Sequence, residues 1–244
     1  MTRDDLGSAG GPGVTHEAPG VSRDCHAPHG ATDEQAASSD STVSGAPGAM
    51  LVIVSGPSGV GKDTVIQALC QVPTSPERYF VVTATTRPRR DYEIDGVHYH
   101  FLDEEEFQRR REAGGFLEAN LVHGYWYGTP REQVRHALTS GRDAILKIDV
   151  QGAAVVKQKV PEALLVFLVP PSLEDLFARL QARATETADQ LDVRQRNAAL
   201  ELARQEDYDY VVRNETGQVD RTAKRIDEII RAEKAAHPDR RTRV

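Results

Sequence analysis

Met50 opens an unbroken apolar run, MLVIVS, and a run without polar alternation predicts a strand buried on both faces of a parallel sheet. A glycine-rich turn follows at Gly56 to Gly61, and KDTVIQALC after it carries a helical pattern. β-Branched and aromatic runs predict further strands at 79–85 (YFVVTAT), 144–150 (AILKIDV), 163–169 (ALLVFLV) and 208–214 (YDYVVRN). Helical periodicity fills the gaps: 130–139 with Pro130 at its start, 153–159, 172–183, about 188–206 and 219–235. Ser172, with Asp175 three residues on, is placed to open the helix at 172–183. Strands alternating with helices predict an α/β fold built on a parallel sheet.

One segment breaks the alternation. Between about 84 and 130, short β pieces (HYHFL, FLEANLV) surround an acidic-to-basic helical stretch, DEEEFQRRREAG. This predicts a small α+β subdomain inserted between the second and third core strands. A polar loop, within about 184–193, lies between two helices as a lid would. Ahead of Met50, the first 49 residues hold 8 Gly, 8 Ala, 6 Ser and 4 Pro and no aromatic residue. Such a segment buries too little apolar surface to offset its ordering entropy, so 1–49 reads as a disordered extension. Residues 50–236 are then the folded domain and 237–244 a flexible C-terminal tail. Met1 and Met50 are the only methionines, so the domain could itself begin at Met50.

Charge and cysteine usage narrow the class. The chain carries −7, of which the extension's two basic and seven acidic residues supply −5, leaving −2 for the body. A nearly neutral body argues against a nucleic-acid footprint. With no apolar stretch of ~18 residues, no membrane span is expected. The extension has no secretory apolar run and is too acidic for a transit peptide. Its His16, Cys25, His26 and His29 match no zinc-ligand spacing. Two cysteines, Cys25 and Cys70, make no disulfide framework and suit a reducing cytoplasm.

The sharpest chemical signal is GPSGVGKDT, Gly56 to Thr64. A strand before it and a helix after it supply the context of a phosphate-binding P-loop, G-x-x-x-x-G-K-[ST]. The turn made by Gly56, Pro57, Ser58, Gly59, Val60 and Gly61, with the helix N-terminus behind it, offers N–H groups to phosphate oxygens. Lys62 adds a point charge. An ordinary tight turn is the plainer alternative, which the preceding strand and Lys62 disfavour. Asp63 stands where the pattern has a hydroxyl. A carboxylate there is a hard ligand for Mg2+, directly or through water. Thr64 is turned ~100° away on the helix and does not take that place.

With this loop, the stretches TTRPRRDYEIDGVHYHF, FLEANLVHGYWYGT, KIDVQG, PPSLEDL and DYDYVVRN resemble the guanylate kinases from about Met50 to Lys234. The resemblance implies transfer of the ATP γ-phosphoryl group to GMP with Mg2+, by a core, a GMP-binding insert and a mobile lid. Guanine presents N1–H and its exocyclic amine side by side, matching the two oxygens of one carboxylate, whereas adenine has an acceptor at N1. Glu118 matches the family's guanine-reading acid, Thr129 and Thr83 the hydroxyls on the base edge, and Asp149 an acid near the nucleotide. Arg87, Arg90, Tyr99 and Tyr127 match the set that binds the GMP phosphate, where bidentate cations and hydroxyl donors are needed. Here the chain reads TTRPRR against the usual T-T-R-x-P-R, keeping the spacing of Arg87 and Arg90. Arg179, Arg183 and Arg194 match arginines that close over the phosphates, and Asn214 a residue beside the adenine. Such charge stabilisation carries most of phosphoryl transfer. Ala184 replaces a lid glycine.

The resemblance also exposes a paired departure. The family has a hydroxyl at the place of Asp63 and an acid at the place of Lys147, two residues before Asp149. Lys147 and Asp149 share a strand face by period two. A charge swap is therefore expected, with Asp63 and Lys147 as neighbours. Two other readings remain at this point: a ribose 1,5-bisphosphate kinase, which shares a GKD loop, and a non-catalytic phosphopeptide-binding module of the same fold. Glu118, Thr129 and TTRPRR count against the first, and Lys62 against the second. ATP and GMP are the expected partners in the cytoplasm. Use of dGMP, and the choice between monomer and homodimer, stay open.

Overall fold

The computed structural model describes residues 42–122, 124–182 and 188–244, with side chains throughout except at 182 and 188–194. The chain runs β1 (Leu51–Ser55), α1 (Lys62–Cys70), β2 (Tyr79–Phe80), β3 (Ala84–Thr85), β4 (His100–Phe101), α2 (Glu104–Glu112), β5 (Phe116–Val122), β6 (Tyr125–Pro130) and α3 (Arg131–Thr139). It continues through β7 (Ala144–Lys147), α4 (Val150–Lys159), β8 (Leu164–Val169), α5 (Leu173–Ala182), α6 (Ala188–Leu202), a 3-10 turn at Ala203–Asp207, β9 (Tyr210–Arg213) and α7 (Val219–Ala236).

Five strands pair in the order β2-β7-β1-β8-β9, and every pairing is parallel. All five residues of β1 are buried, which is why its sequence shows no alternation. Val52 and Val54 face a core shared with Val65 and Leu69 of α1 and Ile226 and Ile230 of α7. Leu51 and Ile53 face the other way, onto Val134 and Leu138 of α3 and Ala153 and Val156 of α4. Burying each such aliphatic side chain is worth about 1.5–3 kcal/mol, so both faces of β1 anchor the loop that follows it.

The second predicted strand divides. Tyr79 and Phe80 pair with β7 in the core sheet, whereas Ala84 and Thr85 pair with β4 and β6 in a separate four-stranded sheet, order β4-β3-β6-β5. Between them, the backbone of Val82 is held by the Gln133 side chain: Val82 N–H donates to Oε1 at 2.9 Å, and Nε2 donates to Val82 O at 3.2 Å. The second sheet is the expected insert. Its small core stacks Phe107 of α2 on Phe116 at 4.6 Å between ring centres, with Trp126 at 5.9 Å. Asp103 caps α2, accepting from the N–H of Glu106 at 2.8 Å. Acidic residues fill its first turn and basic residues its last, as the helix dipole favours.

Three further expectations change. Residues 148–150 do not extend β7: Asp149 caps α4, whose first residue is Val150. The boundaries expected at 49 and 237 differ from the packing seen. Val43 N–H donates to Val244 O, Gly45 N–H to Thr242 O and Ala46 N–H to Leu138 O. Ala49, Thr242 and Val244 are buried, so 43–49 and 240–244 form a strap over α3 rather than loose ends. Cys70 is disulfide-bonded, which departs from the reading of the cysteines as thiols in a reducing compartment. Of the expected lid at about 184–193, residues 184–187 lie outside the described residues and 188–193 are the first residues of α6.

Candidate active site

The P-loop leaves β1 in the middle of the sheet. Gly56 takes φ 143°, and a Cβ there would meet Leu168 O at 2.5 Å, so only glycine lets the turn pass β8. Lys62 folds back onto the loop, its Nζ donating to Gly56 O at 2.6 Å and Pro57 O at 3.1 Å. Burial lowers its pKa, against the pull of Glu201, Asp63 and Asp149. Val60 O accepts from Asn214 Nδ2 at 2.8 Å and from Arg179 Nη1 at 3.2 Å. Asn214, also bonded to the Thr222 hydroxyl at 3.1 Å, therefore braces the loop. Ser58 N–H donates to Glu201 Oε2 at 3.0 Å, which places a carboxylate of α6 on the phosphate loop.

Asp63 and Lys147 are ion-paired, as the charge swap requires. Lys147 ends β7 at the level of Val54. Its ammonium lies 4.6 Å from the centre of the Tyr99 ring. Burial opposes the Lys147 charge, but Asp63 and Tyr99 outweigh it and raise its pKa. One lysine thus spans the P-loop and the insert.

Strand register explains why the insert's polar residues converge. Glu118 lies opposite Thr129, Asn120 opposite Tyr127, and Tyr127 opposite Thr85. Opposed residues share a face, and so do residues two apart. Glu118, Thr129, Asn120, Tyr127 and Thr85 therefore lie on one face, and Thr83, buried two residues before Thr85, accepts from His100 N–H through its carbonyl at 2.9 Å. Ala84, Ala119 and Trp126 take the opposite face, against Phe107.

Within that face, two clusters form. At one end Glu118, 3% exposed, accepts from the Thr129 hydroxyl at 2.6 Å and from Asn120 Nδ2 at 2.6 Å. Burial, aided by Asp149, pushes its carboxyl up to about 7 against the Thr129 and Asn120 bonds and Lys159, which pull it down. A Cβ at Gly152 would stand 3.2 Å from Glu118 Oε2, so the bare start of α4 leaves room for the carboxylate. Asp149 Oδ1 accepts from Gln151 N–H at 2.7 Å and Gly152 N–H at 2.9 Å. At the other end, Tyr99 and Tyr127 meet edge to face at 6.0 Å, and the Arg87 guanidinium lies 5.6 Å from the Tyr99 ring centre.

Glu93 organises the arginines and was not foreseen. Buried, it accepts from Arg87 Nη2 at 2.7 Å and from Arg90 N–H at 2.8 Å. Burial raises its pKa, but these bonds prevail and hold it below the usual range. Arg90 points outward, its Nη1 donating to the Tyr92 hydroxyl at 3.0 Å. Glu93 and Asn120 act through other side chains and Glu201 through the Ser58 backbone, and none belongs to a spacing motif. The glutamate following three arginines in RPRRDYEID, between Asp91 and Asp95, was the available signal for Glu93. Arg183 lies outside the described residues, and Arg194 sits on α6 with its side chain outside them.

A five-stranded parallel sheet with a glycine loop off its central strand, flanked by helices, defines a P-loop kinase fold. Residues 48–233 match the profile of the family described as guanylate kinase, and the chain belongs to that family. It is 42% identical over 192 residues to a guanylate kinase of Chelativorans sp. (strain BNC1), covering 78% of this chain and 86% of that one. It is 43% identical over 185 residues to a guanylate kinase of Caldanaerobacter subterraneus subsp. tengcongensis, covering 76% and 88%. The crystal structure of guanylate kinase from Anaplasma phagocytophilum superposes with a TM-score of 0.61 at 31% identity, covering 76% of this chain and 86% of that one.

Proposed function

We propose that the protein transfers the γ-phosphoryl group of ATP to GMP, giving ADP and GDP. The observation that carries this reading is one polar sheet face with a buried carboxylate, Glu118, at one end and Arg87, Tyr99 and Tyr127 at the other. Its second end reaches the P-loop through Lys147 and Asp63. Guanine's paired donors fit the Glu118 oxygens, with Thr129 and Thr83 on the base edge and Asp149 close by. The acceptor phosphate fits Arg87, Tyr99 and Tyr127, with Arg90 turning inward to join them. The loop from Gly56 to Thr64 takes the ATP phosphates, Lys62 leaving its carbonyls for them. Asn214 holds the loop in shape near the adenine. Arg179, beside Val60, together with Arg183 and Arg194, supplies cations to the phosphoryl group in flight.

Among the described residues no group of three or more His, Cys, Asp or Glu could hold a metal alone. Mg2+ is commonly held by one or two carboxylates with substrate phosphates, and Asp63, a hard oxygen donor at the loop's end, fits that share. Bound there, the ion neutralises phosphate charge. The substrates favour a cytoplasmic location, against which the Cys70 disulfide counts. No helix among the described residues is long and apolar enough to cross a membrane.

The test is coupled ADP release with GMP, AMP, ribose 1,5-bisphosphate or no acceptor. Turnover is expected with GMP alone. Glu118→Gln turns an amide N–H toward guanine's donors and leaves one without an acceptor, a loss of about 1–3 kcal/mol. It raises KM for GMP and leaves KM for ATP nearly unchanged. Turnover with the ribose bisphosphate, or an equal rise in both KM values, overturns the reading.

A further inference from the structure

Glu118 is held by two side chains, and only one of them follows from the family pattern. Thr129 donates to Oε1, and Asn120 Nδ2 donates to Oε2, each at 2.6 Å. Asn120 is two residues along β5, so period two puts it on the Glu118 face, and its cross-strand partner is Tyr127. It therefore stands between the carboxylate and the tyrosine-arginine cluster. A carboxylate with one donor on each oxygen cannot swing freely, and each oxygen keeps lone-pair capacity for a second donor.

We propose that Asn120 is a positioning residue for base selection: its amide locks the Glu118 carboxylate as a two-oxygen acceptor for a purine edge carrying two parallel donors. This rests on the reading of Glu118 as the guanine acceptor. The surroundings make the second donor matter. Glu118 is almost wholly buried and faces Asp149 at the start of α4, both of which favour its protonated form. Only Thr129, Asn120 and Lys159 at the far end of α4 oppose them. A protonated Glu118 turns an O–H toward guanine's donors and loses the match. Removing Asn120 extends that loss to higher pH.

The experiment measures GMP affinity by calorimetry and KM for GMP between pH 6.5 and 9, for the full chain and for Asn120→Ala and Asn120→Asp. The wild type loses GMP affinity as pH falls through about 7. Asn120→Ala is expected to weaken GMP about tenfold at pH 7, the worth of one hydrogen bond to a charged group. The deficit narrows toward pH 9, while KM for ATP and kcat at saturating GMP stay within about twofold, an effect small beside one lost bond. Asn120→Asp keeps the shape but exchanges the donor for a charge, and at pH 8 its deficit exceeds that of Asn120→Ala. A deficit independent of pH, or Asn120→Asp behaving as wild type, overturns the proposal. Glu118→Gln separates the two layers. If it weakens GMP and the Asn120 variants do not, the Asn120 proposal alone fails; if it leaves GMP binding intact, the guanine reading fails and takes the proposal with it.

Discussion

Asp63 and Lys147 each look out of place alone and make sense together. A carboxylate replaces the P-loop hydroxyl, and a lysine stands where the family has an acid, yet the two meet as an ion pair. Asp63 is half exposed, so the pair adds little to stability; its effect is on the charge beside the phosphates. Asp63→Ser leaves Lys147 without its partner, and Lys147→Glu sets two acids together, so each lowers kcat/KM. The double change rebuilds the family arrangement and recovers much of the loss, with a coupling of about 1–2 kcal/mol in a double-mutant cycle. Strictly additive losses exclude the swap. This pairing was legible in the sequence, because both departures sit on motifs, although the strand that was to relate Lys147 to Asp149 ends at Lys147. Asn120 and Glu93 were not, because they act by holding another side chain, and no spacing rule marks that.

At the level of elements, local pattern reads what local pattern determines. β1, with all its residues buried, announces itself. YFVVTAT is β-prone from end to end, so nothing inside it shows that the chain changes sheets at Val81–Thr83. The decision lies in Gln133, far along the chain on α3, whose amide offers the same donor and acceptor as a peptide group. The sequence places Asp149 inside a strand for a related reason: a hydrophobic run continues into the first turn of α4, and only the capping geometry marks the break. Gln133→Leu keeps the bulk and strands both polar groups of the buried Val82 backbone. The expected cost is about 1–3 kcal/mol per unpaired group, or roughly 2–4 °C in Tm per kcal/mol for a domain of this size. KM for GMP rises with it, because Thr83 and β3 follow directly. An unchanged Tm shows that water replaces the amide without loss.

At the scale of the whole molecule, composition drew the domain edge too late. Gly, Ala, Pro and Ser dominate 42–49 as they do the residues before. Yet this stretch pairs with 240–244, a partner that no local window contains. Two truncations separate the parts. Removing 1–41 is expected to leave Tm and GMP turnover unchanged in reducing buffer, since that segment is poor in apolar residues. Removing 1–49 also deletes buried Ala49 and the backbone bonds to Leu138, Arg240, Thr242 and Val244, and Tm falls by several degrees. Equal melting curves place the domain edge at Met50 after all.

Lys147 belongs at this scale as well, because a single ammonium answers to Asp63 on the loop proposed for ATP and to Tyr99 in the pocket proposed for GMP. A ligand that alters either contact alters both, so the two binding equilibria form a thermodynamic cycle with a common element. Reciprocity then fixes the bookkeeping: whatever factor ATP imposes on GMP affinity, GMP imposes on ATP. Replacing Lys147 changes both factors together, never one alone.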